Sequence, residues 1–133
     1  MTEKTILVVD DEPHIVELAR LYLSNENFSV EVARTGSQAL AKFALVKPAL
    51  IVLDLMLPEI DGWEVCRRIR KESNVPIIML TARDDDVAKI VGLKLGADDD
   101  LTKTFNTKEL GAKVKEVRRR ANPLKQENTP KAR

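Results

Sequence analysis

Ala49-Leu50-Ile51-Val52-Leu53-Asp54 is an apolar run that meets a single acid, and the loop Leu55-Met56-Leu57-Pro58-Glu59 follows at once. A short apolar run bounded by turn formers reads as a strand buried on both faces, because only a sheet covered by helices on both sides hides all of it. The acid then falls where the strand leaves the core. In an open α/β sheet, ligands bind outside the carboxyl ends of the strands. Asp54 is therefore the first candidate for chemistry, and the flanking sequence decides what else reaches it.

Upstream, residues 5–9 are β-rich and end in Asp10-Asp11-Glu12-Pro13. Pro13 suits the first turn of a helix, where its missing N–H costs nothing, and acids there complement the helix dipole. Ile15, Leu18, Ala19, Tyr22 and Leu23 recur at helical spacing. Phe28, Val30 and Val32 alternate as a half-exposed strand over 28–33, expected at a sheet edge. Thr35 is placed to cap a second helix that turns Leu40, Phe43 and Ala44 inward, and Pro48 ends that segment.

Downstream, Asp61-Gly62 turns into a third helix carrying Val65, Cys66 and Ile69. Residues 75–80 are another apolar strand, with Pro76 near its start where no ladder donor is lost, and they run into Thr81-Ala82-Arg83. Asp84-Asp85-Asp86 opens a helix with Val87, Ile90, Val91 and Leu95, which Gly96 stops. Residues 97–102 form a weak strand made acidic by Asp98, Asp99 and Asp100, and the loop Lys103-Thr104-Phe105-Asn106 follows. Thr107 is expected to cap the last helix, with Leu110, Val114 and Val117 inward. Arg118-Arg119-Arg120 closes it, where cations suit the dipole. Residues 1–120 thus read as one domain, and 121–133, which lack periodicity, as a tail or the start of a linker.

The 133 residues suffice for one domain with a sizeable core. With 22 basic and 21 acidic side chains the net charge is +1, too little for an electrostatic nucleic-acid binder. One cysteine, Cys66, excludes an internal disulfide and reads as a buried structural thiol in a reducing compartment. No apolar run approaches the ~18 residues of a membrane span. The first residues enter a strand with no room for a signal peptide. A cytoplasmic location is expected. His14 reads as an exposed side chain, and Trp63 as packing at a helix start that could also report on the pocket.

Strands alternating with helices define an α/β fold, a parallel sheet covered on both faces. Right-handed crossovers put every strand's carboxyl end on one edge. Asp10 and Asp11 follow the first strand, Asp54 the third, Thr81 the fourth and Lys103 the fifth. In the doubly wound order 2-1-3-4-5 those four strands are contiguous and their ends share one pocket. Carboxylates so close need a counter-charge, and oxygen ligands in a partly solvated cleft suit Mg²⁺. A carboxylate beside such an ion can be the nucleophile for a phosphoryl group. The transferring group needs a cation and a hydrogen-bond donor, which Lys103 and Thr81 supply.

The set Asp10-Asp11, Asp54, Thr81 and Lys103 resembles the receiver domain of two-component response regulators, across residues ~5–120. Val-Val-Asp-Asp-Glu-Pro, Asp-Leu-Met-Leu-Pro-Glu-Ile-Asp-Gly and Leu-Thr-Ala-Arg look most like the subfamily carrying a winged-helix DNA-binding domain. The resemblance implies a five-stranded flavodoxin-like sheet, doubly wound in the order 2-1-3-4-5 with five helices. It implies Asp54 as phosphoacceptor for a sensor histidine kinase. Asp11 would be the main Mg²⁺ ligand, assisted by Asp10, with Asp54 and the Met56 backbone carbonyl completing the protein ligands. Thr81 would bind the phosphoryl group and Lys103 would pair with it, while Met56 and Arg83 occupy positions that tune its lifetime. Such a domain catalyses its own phosphorylation and dephosphorylation and is not a turnover enzyme. DNA would be reached only through a C-terminal domain absent from this chain. Homodimers would form through the fourth helix, fifth strand and fifth helix, with cross-subunit pairs Lys89–Glu109, Asp99–Lys113 and Asp98–Arg120. Lys113 stands where an arginine fork is usual, which weakens its pair.

Three departures fall on the signalling side. The switch aromatic of the family falls at Asp100, and the proline with a cis bond that usually follows the pocket lysine is Thr104. Gly111 inside the last helix costs roughly 1 kcal/mol against alanine. Phosphoryl acceptance is therefore expected to survive while its coupling to the output face is altered. A degenerate receiver that binds partners without phosphorylation is the alternative. A flavodoxin-like cofactor binder fits less well, because Asp10-Asp11-Glu12 would repel a phosphate. A dehalogenase-type phosphatase would need a second acid where Met56 stands.

Overall fold

The computed structural model describes residues 4–82 and 85–121. Its elements run β1 (Thr5–Val9), α1 (Pro13–Asn25), β2 (Ser29–Ala33), α2 (Gly36–Val46), β3 (Leu50–Asp54), α3 (Gly62–Arg70), β4 (Ile77–Thr81), α4 (Asp86–Lys94), β5 (Asp99–Thr102) and α5 (Thr107–Arg120). All strand pairs are parallel, in the order β2-β1-β3-β4-β5, as expected. Every residue of β3 and β4 is buried, which is why both read as unbroken apolar runs rather than alternating ones.

Side chains leave a strand alternately, so the sheet builds two cores. Ile6, Val8, Leu50, Val52, Ile78, Leu80 and Leu101 pack with Ile15, Ala19 and Leu23 of α1 and Leu110, Val114 and Val117 of α5. Leu7, Val9, Ile51, Leu53, Ile77 and Met79 pack with Ala39 of α2, Val65, Cys66 and Ile69 of α3 and Ala88 of α4. Each fully buried Leu or Ile contributes about 1.5–3 kcal/mol, so this sandwich holds the strand ends rigidly in line.

Several local expectations change. Asn106, not Thr107, caps α5: its side chain accepts from Glu109 N–H at 2.8 Å while the Glu109 carboxylate accepts from Asn106 N–H at 3.0 Å. This reciprocal box satisfies two donors that a threonine one residue later would leave open. Ala44 is exposed, and the packed stripe of α2 is Gly36, Ala39, Leu40 and Phe43. On α4, Val87 is 69% exposed and Ile90 56%, while Ala88 and Gly92 are buried. A Cβ at Gly92 would press on the Met79 sulfur, so small residues let α4 lie close to the sheet.

Gly111 is also more than a helix-weakening residue. It is buried, and a Cβ there would collide with the Tyr22 hydroxyl and ring from α1. The glycine makes room for an aromatic side chain where α1 meets α5. Arg83, Asp84 and the expected tail after Ala121 lie outside the described residues.

Candidate functional site

The contiguous order of β1, β3, β4 and β5 brings their carboxyl ends into one cleft of about 320 Å³, whose lining includes Asp11, Glu12, Asp54, Met56, Trp63 and Lys103. Asp10 and Thr81 are buried and lie off that lining. Asp54 is the last residue of β3 and only 3% exposed. Its Oδ1 accepts from Met56 N–H at 3.3 Å. Asp10 Oδ1 accepts from Glu12 N–H at 2.9 Å, which folds the chain back at the end of β1. Asp11 is exposed.

One ligand oxygen from each of Asp10, Asp11 and Asp54 can be chosen so that all lie within 4.8 Å of one another. That donor set fits a hard divalent cation, which takes carboxylate oxygens and keeps waters. Burial pushes the Asp54 carboxyl up from 3.8 to about 6, and the Asp10 charge adds to the rise, against the pull of Lys103. Asp10 is raised as well, chiefly by burial, against the Glu12 N–H and Lys103. Both shifts describe a pocket short of positive charge.

Among the described residues, Lys103 is the cation that meets these acids. Its Nζ lies 3.1 Å from Asp10 Oδ2, 3.1 Å from Glu12 Oε1 and 3.3 Å from Asp54 Oδ2. Burial works against its charge, but the Asp54 and Asp10 carboxylates, with the hydrogen bond to Glu12, outweigh burial and raise its pKa. Its backbone N–H donates to the Thr81 carbonyl at 2.8 Å, and the Lys103–Thr104 peptide bond is cis. The Thr81 hydroxyl is buried, with no hydrogen-bond partner among the described residues. An orphaned buried hydroxyl costs on the order of 1–3 kcal/mol, a cost that an incoming oxygen would relieve.

Sequence reasoning placed Asp10, Asp11, Asp54, Thr81 and Lys103 at one sheet edge, and the structure brings them together there. It did not find the Glu12–Lys103 contact. Those residues are 91 positions apart, and no periodicity connects them. His14 is exposed and Cys66 buried, as expected. Burial also raises the Cys66 thiol pKa. Trp63 packs against the second core and also lines the cleft.

The residues expected to pair across a dimer have partners within the chain. Lys113 meets Asp99 at 2.9 Å, Arg120 meets Asp99 at 3.5 Å and Lys89 meets Asp100 at 3.9 Å. The Asp98 carboxylate is held by Arg70 at 2.9 Å and by Ile77 N–H at 2.8 Å. The Glu109 carboxylate serves the cap of α5.

The sheet thus carries three acids, a buried threonine and a lysine at its carboxyl edge, and comparison with known proteins identifies the class of domain. The chain belongs to the response regulator receiver domain family, whose sequence profile matches residues 6–115. It is 49% identical over 119 residues to the alkaline phosphatase synthesis transcriptional regulatory protein PhoP of Bacillus subtilis, covering 89% of this chain and 50% of that protein. It is 45% identical to the transcriptional regulatory protein ResD of Bacillus subtilis, covering 90% of this chain and 50% of ResD. The BeF3-activated N-terminal receiver domain of Klebsiella pneumoniae RstA superposes with a TM-score of 0.82 at 35% identity, covering 87% of this chain and 99% of that one. The chain thus spans about half the length of the curated relatives it matches. Among the described residues, no helix is long and apolar enough to cross a membrane.

Proposed function

We propose that this domain takes a phosphoryl group from a sensor histidine kinase onto Asp54, in a Mg²⁺-dependent reaction, and signals through the α4-β5-α5 face. The observation that carries the reading is Asp54 itself: a buried carboxylate at a strand end, 3.3 Å from a lysine and grouped with two further acids. With a pKa of about 6, Asp54 is mostly ionised at neutral pH and able to attack. Its free oxygen bonds to phosphorus as the P–N bond of the donor's phosphohistidine breaks. The leaving imidazole nitrogen keeps the bonding pair and takes up a proton. Lys103 then faces the new phosphoryl charge, and Thr81 offers its unpartnered hydroxyl to a phosphoryl oxygen.

Asp10, Asp11, Asp54 and the Met56 carbonyl would hold the Mg²⁺. When bound, it supplies charge stabilisation to the phosphoryl group and relieves repulsion among the acids. The domain acts once per phosphoryl rather than as a turnover enzyme, in the cytoplasm, where the kinase's phosphohistidine is made. Since the relatives are transcriptional regulators about twice as long, we infer that DNA is reached through a further C-terminal domain. A homodimer through the α4-β5-α5 face would exchange the present Asp99–Lys113 contact for its cross-subunit equivalent. Asp100 carries a charge pair with Lys89 where an aromatic switch is usual, and it favours altered coupling to that face.

Intact mass after incubation with Mg²⁺ and acetyl phosphate tests the proposal. One phosphoryl on the wild type and none on Asp54→Asn is expected. A folded wild type that takes none would refute it.

A further inference from the structure

Lys103 has three N–H donors and faces three carboxylates, but only one of these contacts is aligned as a hydrogen bond. That bond, at 3.1 Å, goes to Glu12 Oε1. The equally short approach to Asp10 Oδ2 leaves that oxygen without a hydrogen bond among the described residues, and Asp54 is the most distant of the three. The directed interaction of the pocket cation is therefore with the outermost acid, not with the residue that accepts the phosphoryl group.

Glu12 has been left free for this. It stands at the N-cap of α1, where a short polar side chain would normally accept from the first turn. Thr35, Asp61, Asp85 and Asn106 do so for α2, α3, α4 and α5. Glu12 makes no such bond, and Pro13 opens the helix behind it. Its side chain is 47% exposed, against 0% for Asp10 and 4% for Asp54, so its contact with Lys103 is the one most easily exchanged for water.

We propose that Glu12 is a positioning residue. It holds the Lys103 ammonium toward the mouth of the cleft, and the arriving phosphoryl must take Lys103 from it. A phosphoryl on Asp54 brings three oxygens and about two negative charges, enough to outcompete one half-solvated carboxylate. Glu12 thus sets the threshold for phosphoryl binding without touching the reacting atoms. This inference rests on the phosphoacceptor reading above.

The test is the concentration of acetyl phosphate giving half-maximal phosphorylation at saturating Mg²⁺, read by intact mass for wild type, Glu12→Gln and Glu12→Asp. Aspartate keeps the charge, but it is shorter and suits the cap of α1, which turns it from Lys103. Both variants are expected to lower the half-saturating concentration, Gln by about three- to fivefold, in line with an exposed ion pair, with the maximal rate within roughly twofold. A urea melt of each variant controls for folding. A Gln shift below about twofold overturns the proposal. So does a Gln shift with Asp matching wild type, since charge at the mouth would then explain everything. A wild type that takes no phosphoryl refutes the phosphoacceptor reading, whereas a phosphorylated wild type with unchanged variants refutes only this inference.

Discussion

Asp54 is ionised in a place that disfavours ionisation, and replacing it with asparagine should therefore stabilise the fold. Its carboxyl rises from 3.8 to about 6, with burial the largest cause and the Asp10 charge next. The cost of holding the charge in the folded state is about 2–3 kcal/mol, at roughly 1.4 kcal/mol for each tenfold in the proton equilibrium. A carboxyl raised on folding adds stability that is fully present below its unfolded pKa and is lost as pH rises through its folded one. The cost is thus absent well below pH 3.8, grows between there and about 6 and is nearly complete at pH 7. Asp54→Asn keeps the shape of the side chain and its acceptor for Met56 N–H while removing the charge. Urea denaturation in EDTA, repeated from pH 4.5 to 8, should show the variant about 2–3 kcal/mol more stable at pH 7.5, with the gap closing toward pH 4.5. A variant that is less stable at pH 7.5, or a gap independent of pH, would refute the reasoning and make the Lys103–Asp54 contact a net source of stability.

Gly111→Ala tests the Tyr22 contact. Helix propensity alone would stabilise by up to about 1 kcal/mol, whereas displacing Tyr22 should cost about 1–3 kcal/mol, so chemical denaturation should show a net loss; a gain would mean Tyr22 moves freely. On the output face, Asp100→Tyr should strengthen dimerisation of the phosphorylated protein by up to about fivefold in sedimentation, because a half-solvated pair such as Lys89–Asp100 contributes at most about 1 kcal/mol to holding the monomer. Equal dimer constants for both proteins would show that position 100 does not govern the coupling.

The acids and the lysine were legible because each closes a strand, and strand ends in a parallel α/β sheet share one edge. Asp54 after Leu53 and Thr81 after Leu80 are marked by the unbroken apolar runs before them. The cap of α5 is ambiguous by one residue in the sequence because Asn106 and Thr107 are both good caps, and only the reciprocal bond with Glu109 separates them. Ala44 is equally ambiguous, because alanine is apolar enough for either face of a helix.

The sequence by itself determined the element order, the parallel sheet and the set of groups at its carboxyl edge, since periodicity and chain connectivity are local properties. Only the tertiary structure decided how those groups are coupled. It placed Glu12 on Lys103, folded Arg70 onto Asp98, paired Lys113 and Arg120 with Asp99 inside one chain, and laid Tyr22 over Gly111. Each of these joins residues on different elements. Their distances follow from how the helices pack across the sheet, and no local pattern in the chain encodes that packing.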